Sequence, residues 1–118
     1  MNIDKAKKLI PDGWPHSVAK AVDRKRICED VLQEIINQIQ GENRNLIRWE
    51  FDGIAQAIKD IRFGAYALAM GDAMSVFDNY QKISDKGGLW SPISDDLALE
   101  KLNRELACLK GESPRVDY

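Results

Sequence analysis

Few residues in this chain have the chemistry to transform a substrate. One histidine, His16, stands in WPHS just before a helical stretch. A general acid or base needs a partner within hydrogen-bond reach, and this position suits a helix cap or a solvated side chain instead. Cys28 and Cys108 both sit in helical segments beside apolar residues. They read as two reduced, buried thiols rather than as a disulfide. Asp52 with Asp60, or Glu50 with Asp60, would form carboxylate pairs if helices brought them together. Carboxylates on an amphipathic helix more often form a solvated face. The chain has no Cys-x-x-Cys, no His-Glu-x-x-His and no Glu-x-x-His, the spacings that hold zinc or di-iron centres. Gly64 and Gly71 are spaced along a helix, not gathered into a phosphate-cradling turn. The expectation is a protein without catalytic residues, metal or cofactor.

What remains is surface. Residues 87–94 read GGLWSPIS, and residues 11–15 read PDGWP. Each places an indole in a turn beside a proline, which stiffens the loop and lowers the entropy lost on fixing it. Trp14 and Trp90 are therefore expected either as lids folded onto the ends of the core or as anchors for a partner. Lids are the commoner use, and a buried indole N–H then needs an acceptor. Around Trp90, Leu89 and Tyr80 lie Asp72, Asp78, Asp85, Asp95 and Asp96, against only Lys82 and Lys86. That composition suits an acidic rim about an aromatic anchor. A second charged cluster, Lys20, Arg24, Lys25 and Arg26, would suit phosphates, but Asp23, Glu29 and Asp30 interleave it.

The elements that must carry these residues are helices. Residues 3–9 form a short one, ended by Pro11. Ser17 is expected to cap the next, whose apolar positions Val18, Val22, Val31, Leu32, Ile35, Ile36 and Ile39 recur at helical spacing. Ala21 and Cys28 share that face, and Gly41 stops it. Asn43 or Asn45 caps a third helix, striped by Ile47, Phe51, Ile54, Ile58, Ile61, Ala65 and Leu68. Beside that stripe runs a line of Trp49 and small residues, Gly53, Ala57, Gly64, Ala67 and Gly71, which predicts a close helix–helix approach inside the domain. One helix from 45 to 83 would be about 58 Å long. A break is therefore expected at Gly71-Asp72, with Asp72 as the new cap. Ser94 caps the last helix, Ile93 and Ala98 staple it, and Leu99, Leu102, Leu106 and Leu109 form its seam.

Phe63-Gly64, Tyr66, Gly71-Asp72 and Tyr80-Gln81-Lys82 resemble one tetratricopeptide helical hairpin. The likeness covers about a fifth of the chain. Val76 and Ile83 stand where that pattern has small residues, and Asp30 and Ala98 stand where its first glycine would recur. Such repeats need about three stacked copies, so no membership follows.

The fold expected is all-α: a compact bundle of four or five mostly antiparallel helices, with two loops containing Trp and Pro. Residues 1–111 form one domain and 112–118 a frayed tail. Length, 44% hydrophobic and 31% charged residues are ordinary for a globular domain that folds without disulfide or metal. The net charge of −2 gives no general attraction to nucleic acid. Phe63 to Gly71, the longest run without charge, is too short to cross a bilayer, and the N-terminus lacks the apolar run of a signal peptide. The functional expectation is a cytoplasmic, non-catalytic monomer or homodimer that binds another protein. Its most concrete form is an immunity protein or antitoxin neutralising a toxin or nuclease domain. The alternatives are a small DNA-associated regulator using Lys20, Arg24, Lys25 and Arg26, and a self-associating protein using the Leu99–Leu109 seam or the glycine line.

Overall fold

A computed structural model describes residues 1–43, 46–85 and 97–115, for 80–85 the backbone alone. Among the described residues the fold is an all-α bundle of five helices: α1 (Ile3–Lys7), α2 (Ala21–Gly41), α3 (Arg48–Arg62), α4 (Tyr66–Asp85) and α5 (Ala98–Lys110).

α2 is the central element and touches each of the other four. Cys28, Val31, Leu32, Ile35, Ile36 and Ile39 are buried along it, so the apolar spacing does mark its inner face. Val22 is the exception, standing exposed on the first turn. The helix begins three residues later than Ser17 predicts. Ser17 and Val18 donate their backbone N–H groups to the carbonyls of Gly13 and Pro15. Those turns re-aim the chain, and Lys20 becomes the residue before α2, with no side-chain cap. α1 is held by its own ends: the Asn2 side chain accepts from Asp4 N–H, and the Asn2 backbone exchanges two hydrogen bonds with Gln38 of α2.

α2 runs through Gly41 and closes at Asn43, whose φ of 51° is left-handed. Asn43 thus ends one helix rather than capping the next, and Asn45 lies outside the described residues. The residue before α3 is Ile47, and Glu50 satisfies that helix's first turn by accepting from Ile47 N–H at 3.1 Å. An asparagine is not needed where a glutamate three residues on reaches back.

The expected break at Gly71-Asp72 is absent, and with it the turn of a tetratricopeptide hairpin. α4 passes through both residues. The chain instead reverses at Gly64, where φ is +79°. Gly64 N–H donates to the Ile61 carbonyl and Ala65 N–H to the Asp60 carbonyl. This pair of bonds closes the end of α3 with a left-handed residue just past the cap. Glycine is the residue that adopts that conformation without strain.

α3 and α4 consequently run back along one another and share the most extensive interface in the bundle. At Gly53 they approach closely. A Cβ there would stand 2.7 Å from Val76 Cγ2 and 3.7 Å from the Asp72 carbonyl oxygen. The line of small residues therefore works inside the domain, but only in its first half. Gly64 lies in the turn, and Ala67 and Gly71 face outward. Leu68, assigned to the inner stripe, is also exposed.

α5 buries Ala98, Leu102, Leu106 and Leu109. Ser94 and Ile93 lie outside the described residues. Past α5 the tail is not frayed as far as residue 115. Arg62 pairs with Glu112 at 3.1 Å, Tyr66 Oη–H donates to the Arg115 carbonyl at 2.8 Å, and the Arg115 guanidinium lies 5.8 Å from the centre of the Phe63 ring. Residues 112–115 thus strap the α3–α4 corner.

The glycines separate close packing from mere helix weakness. Gly53→Ala should cost about 1–3 kcal/mol, because Val76 is stiff, buried and unable to yield. Gly71→Ala, with nothing within 4 Å of the added methyl, should stabilise by about 0.5–1 kcal/mol. Urea denaturation of the two variants checks the opposite signs.

Candidate functional site

The residues expected to form one acidic rim are not all brought together. Asp72 is half-buried on α4 and lies against α3. Asp78 is exposed on the same helix. Six residues turn a helix by about 240°, so the two carboxylates point to different sides. Tyr80 and Asp85 belong to the last turns of α4, where the backbone alone is described. Leu89, Trp90, Asp95 and Asp96 lie outside the described residues. Trp14 is partly buried and packs against the core, as a lid would.

The basic cluster is divided by the fold. Lys25 is 5% exposed. Its ammonium donates to Glu29 Oε2 at 2.7 Å and to the Leu109 carbonyl at 2.6 Å. It therefore closes the C-terminal turn of α5 from inside the bundle, where a cation meets the negative end of the helix. Lys25 is thereby withdrawn from any surface that would meet phosphates. Arg24 Nε donates to the Val18 carbonyl at 2.6 Å, and Arg26 stands 3.6 Å from Asp23. Lys20 and Arg26 line an open hollow of about 400 Å³ together with Asp23, Ser17, Val18 and Pro11. Its charges are mixed and locally paired, which does not favour a polyanion.

The candidate acid–base pairs do not form either. Glu50, Asp52 and Asp60 all belong to α3. Glu50 is buried at its first turn, and Asp52 is exposed, 3.9 Å from Arg48. Asp60 is buried eight residues beyond Asp52, about 12 Å along the axis. Cys28 is not a nucleophile. Burial, and then the charge of Glu29, push its thiol up to about 12, and its Sγ–H donates to the Tyr66 carbonyl. His16 is exposed. Among the described residues no three His, Cys, Asp or Glu side chains gather where a metal ion could sit. No helix among them is long and apolar enough to cross a membrane. The leucine seam of α5 is used within the bundle, which leaves no continuous apolar stripe there for a second copy.

No protein-family model matches this chain, and no curated protein or solved structure is found to be similar to it.

What sequence reasoning missed is the outer side of the α3–α4 hairpin. Trp49 is 49% exposed, Phe63 64% and Leu68 59%. Trp49 lies one turn before Gly53, on the line assigned to close packing. Its bulk is nonetheless left half exposed. The only signal in the sequence was the misfit of an indole at the head of a line of glycine and alanine. Asp52 follows one turn later, and Asp78 is an exposed carboxylate of the paired helix. This places a large exposed aromatic on a closely packed two-helix hairpin, with the Arg48–Asp52 pair beside it on α3 and Asp78 exposed on α4.

Two outcomes check the interior. Lys25→Ala leaves a buried carboxylate unpaired and should cost about 3–5 kcal/mol; Lys25→Met combined with Glu29→Leu should lose markedly less, as read by urea denaturation. Only Cys28 is buried as expected, while Cys108 stands on the outer face of α5, so in the folded protein a chromogenic thiol reagent should modify Cys108 promptly and Cys28 only upon unfolding.

Proposed function

We propose that this chain is a non-catalytic helical protein whose role is to bind another protein. In its most concrete form it is a cytoplasmic inhibitor, an immunity protein or antitoxin that occupies a toxin or nuclease domain. The observation that carries this reading is Trp49, a half-exposed indole on a helix packed closely along its neighbour. Tryptophan supplies a large contact area with little side-chain freedom to lose, and it is enriched among residues that dominate binding energy. Exposed acidic groups such as Asp52 and Asp78 suit a target with a basic surface, where they would steer encounter more than they would add affinity. Several reactive groups are in contrast occupied in structural work: Cys28 as a buried thiol, Lys25 and Glu29 as a core ion pair. Neither composition nor fold alone supports an inhibitor; the support comes from a packed helical scaffold that carries one exposed aromatic anchor.

The test is affinity capture from a lysate of the source organism with immobilised wild-type chain, beside a Trp49→Ala, Asp78→Lys variant. The expected result is a stoichiometric protein partner with toxin or nuclease activity. Its affinity for the variant should fall about 30-fold or more, the equivalent of about 2 kcal/mol at a hot spot. Circular dichroism of the variant should remain that of the wild type. Equal capture by both proteins removes this face from the reading, and a partner that is nucleic acid, lost steeply with salt, replaces it.

A further inference from the structure

Asp60 is buried, 5% exposed, at the α3–α4 seam. Its Oδ1 accepts a hydrogen bond from Gln56 Nε2 at 3.0 Å. Its Oδ2 is closed off from solvent, and no N–H or O–H group of the described residues donates to it. A buried carboxylate oxygen left without a donor is costly. The group that interacts with Asp60 from α4 is Asp72, another carboxylate. Two ionised carboxylates in that position repel, and neither can donate. One proton between them turns the contact into a hydrogen bond and supplies the missing donor.

We infer that Asp60 and Asp72 hold a single proton across the α3–α4 seam, and that losing it to solvent loosens the hairpin. The joint is then pH-sensitive, tighter in mild acid than at neutrality. The surroundings leave the pair without a neutralising cation among the described residues. The buried positions of α5 are all apolar. On α2 the buried charges are Lys25 and Glu29, which close on one another and on Leu109. On α3 the other buried charge is Glu50, which accepts from Ile47 N–H, while Arg62 turns outward to Glu112. On α4, Asp78 lies on a different side. Burial first, then the hydrogen bond and charge of Asp60, push the Asp72 carboxyl from 3.8 up to about 6. The folded chain therefore keeps a proton that the unfolded chain has released. Stability conferred by the pair is present below about pH 4, declines as pH rises, and is lost above about pH 6.

The experiment is a carboxyl carbon-13 NMR titration of the intact wild-type chain from pH 3 to 8, joined to thermal denaturation of wild type and Asp72→Asn. The amide of Asp72→Asn can donate to Asp60 Oδ2 without a charge. Expected are one aspartate titrating near 6, a melting temperature of Asp72→Asn above wild type at pH 7.5, and convergence of the two near pH 4. Amide exchange in α3 and α4, corrected for intrinsic rates, should quicken between pH 5 and 7.5 relative to α2. Aspartates that all titrate near 4, or a stability difference constant with pH, overturn the shared proton. The titration stands alone if Asp72→Asn does not fold, and none of its outcomes depends on a binding partner.

Discussion

At Gly64 the backbone enters left-handed space, φ +79°, and two hydrogen bonds from Gly64 and Ala65 seal the end of α3. An L-residue in that conformation costs about 1–2 kcal/mol, so this position largely decides where the long apolar segment folds back. Every other feature of the hairpin inherits its register from that turn. Gly53 meets Val76, Asp60 meets Asp72, and Trp49 falls outside the seam because of where α4 returns. The tail is registered by the same corner. Arg115 runs so close to Gly64 that a Cβ there would lie 3.3 Å from its own Cβ. Glycine thus serves twice at one position, for its dihedral and for the room it leaves.

The second organising feature is how the bundle treats charge. Its core is built from isoleucine, leucine and alanine, yet it encloses Lys25, Glu29, Glu50 and Asp60. Three of these are tied to specific backbone or side-chain partners. Lys25 joins the first half of α2 to the last turn of α5 and so fixes their relative height, as no apolar side chain of the same size would. A buried ion pair of this kind seldom adds net stability over a well-packed apolar pair. Its effect here is geometric, because the ammonium can satisfy Glu29 and the Leu109 carbonyl together in one register. Asp60 differs in having one oxygen satisfied and the other closed off without a donor, in a seam where Asp72 brings a second carboxyl group.

Much of the helical content was legible from spacing alone. The inner face of α2 from Cys28 to Ile39, the seam of α5 and most of the α3 stripe follow the apolar period, because burial of a continuous face dominates local choices. The failures lie where tertiary contacts override local preference. Asp72 has the chemistry of a helix cap, but a cap is needed only where a helix begins, and Gly64 had already supplied the reversal. Asn43 is likewise suited to two roles, and the left-handed end of α2 claims it before α3 begins. Lys25 sits in a basic run that reads as solvated, and only the arrival of α5 at its tip reveals a partner 84 residues away. The docking of 112–115 depends on a hydroxyl and a ring presented by the α3–α4 corner, so no pattern within the tail could announce it. For the candidate surface, aromatic content was legible but exposure was not, since exposure is decided by which neighbour arrives first.

These features divide the molecule into a fixed half and an adjustable half. α2 and α5 are joined by directional charge contacts that leave no alternative register. α3 and α4 are joined by a steric fit at Gly53, a turn at Gly64 and a carboxylate pair whose state depends on protons. Trp49 stands on the adjustable half, one turn from its tightest contact. The indole is half exposed, so its position follows that of the helix that carries it. Steric fit resists compression but does little against separation. Whatever draws α3 and α4 together therefore also preorganises the aromatic surface, and rigidity of this kind lowers the entropy that binding must overcome. The strap from 112–115 lies at the opposite end of the hairpin, where Arg115 covers the Phe63 ring and accepts from Tyr66, so the end that carries Trp49 takes its order from the packing of the two helices.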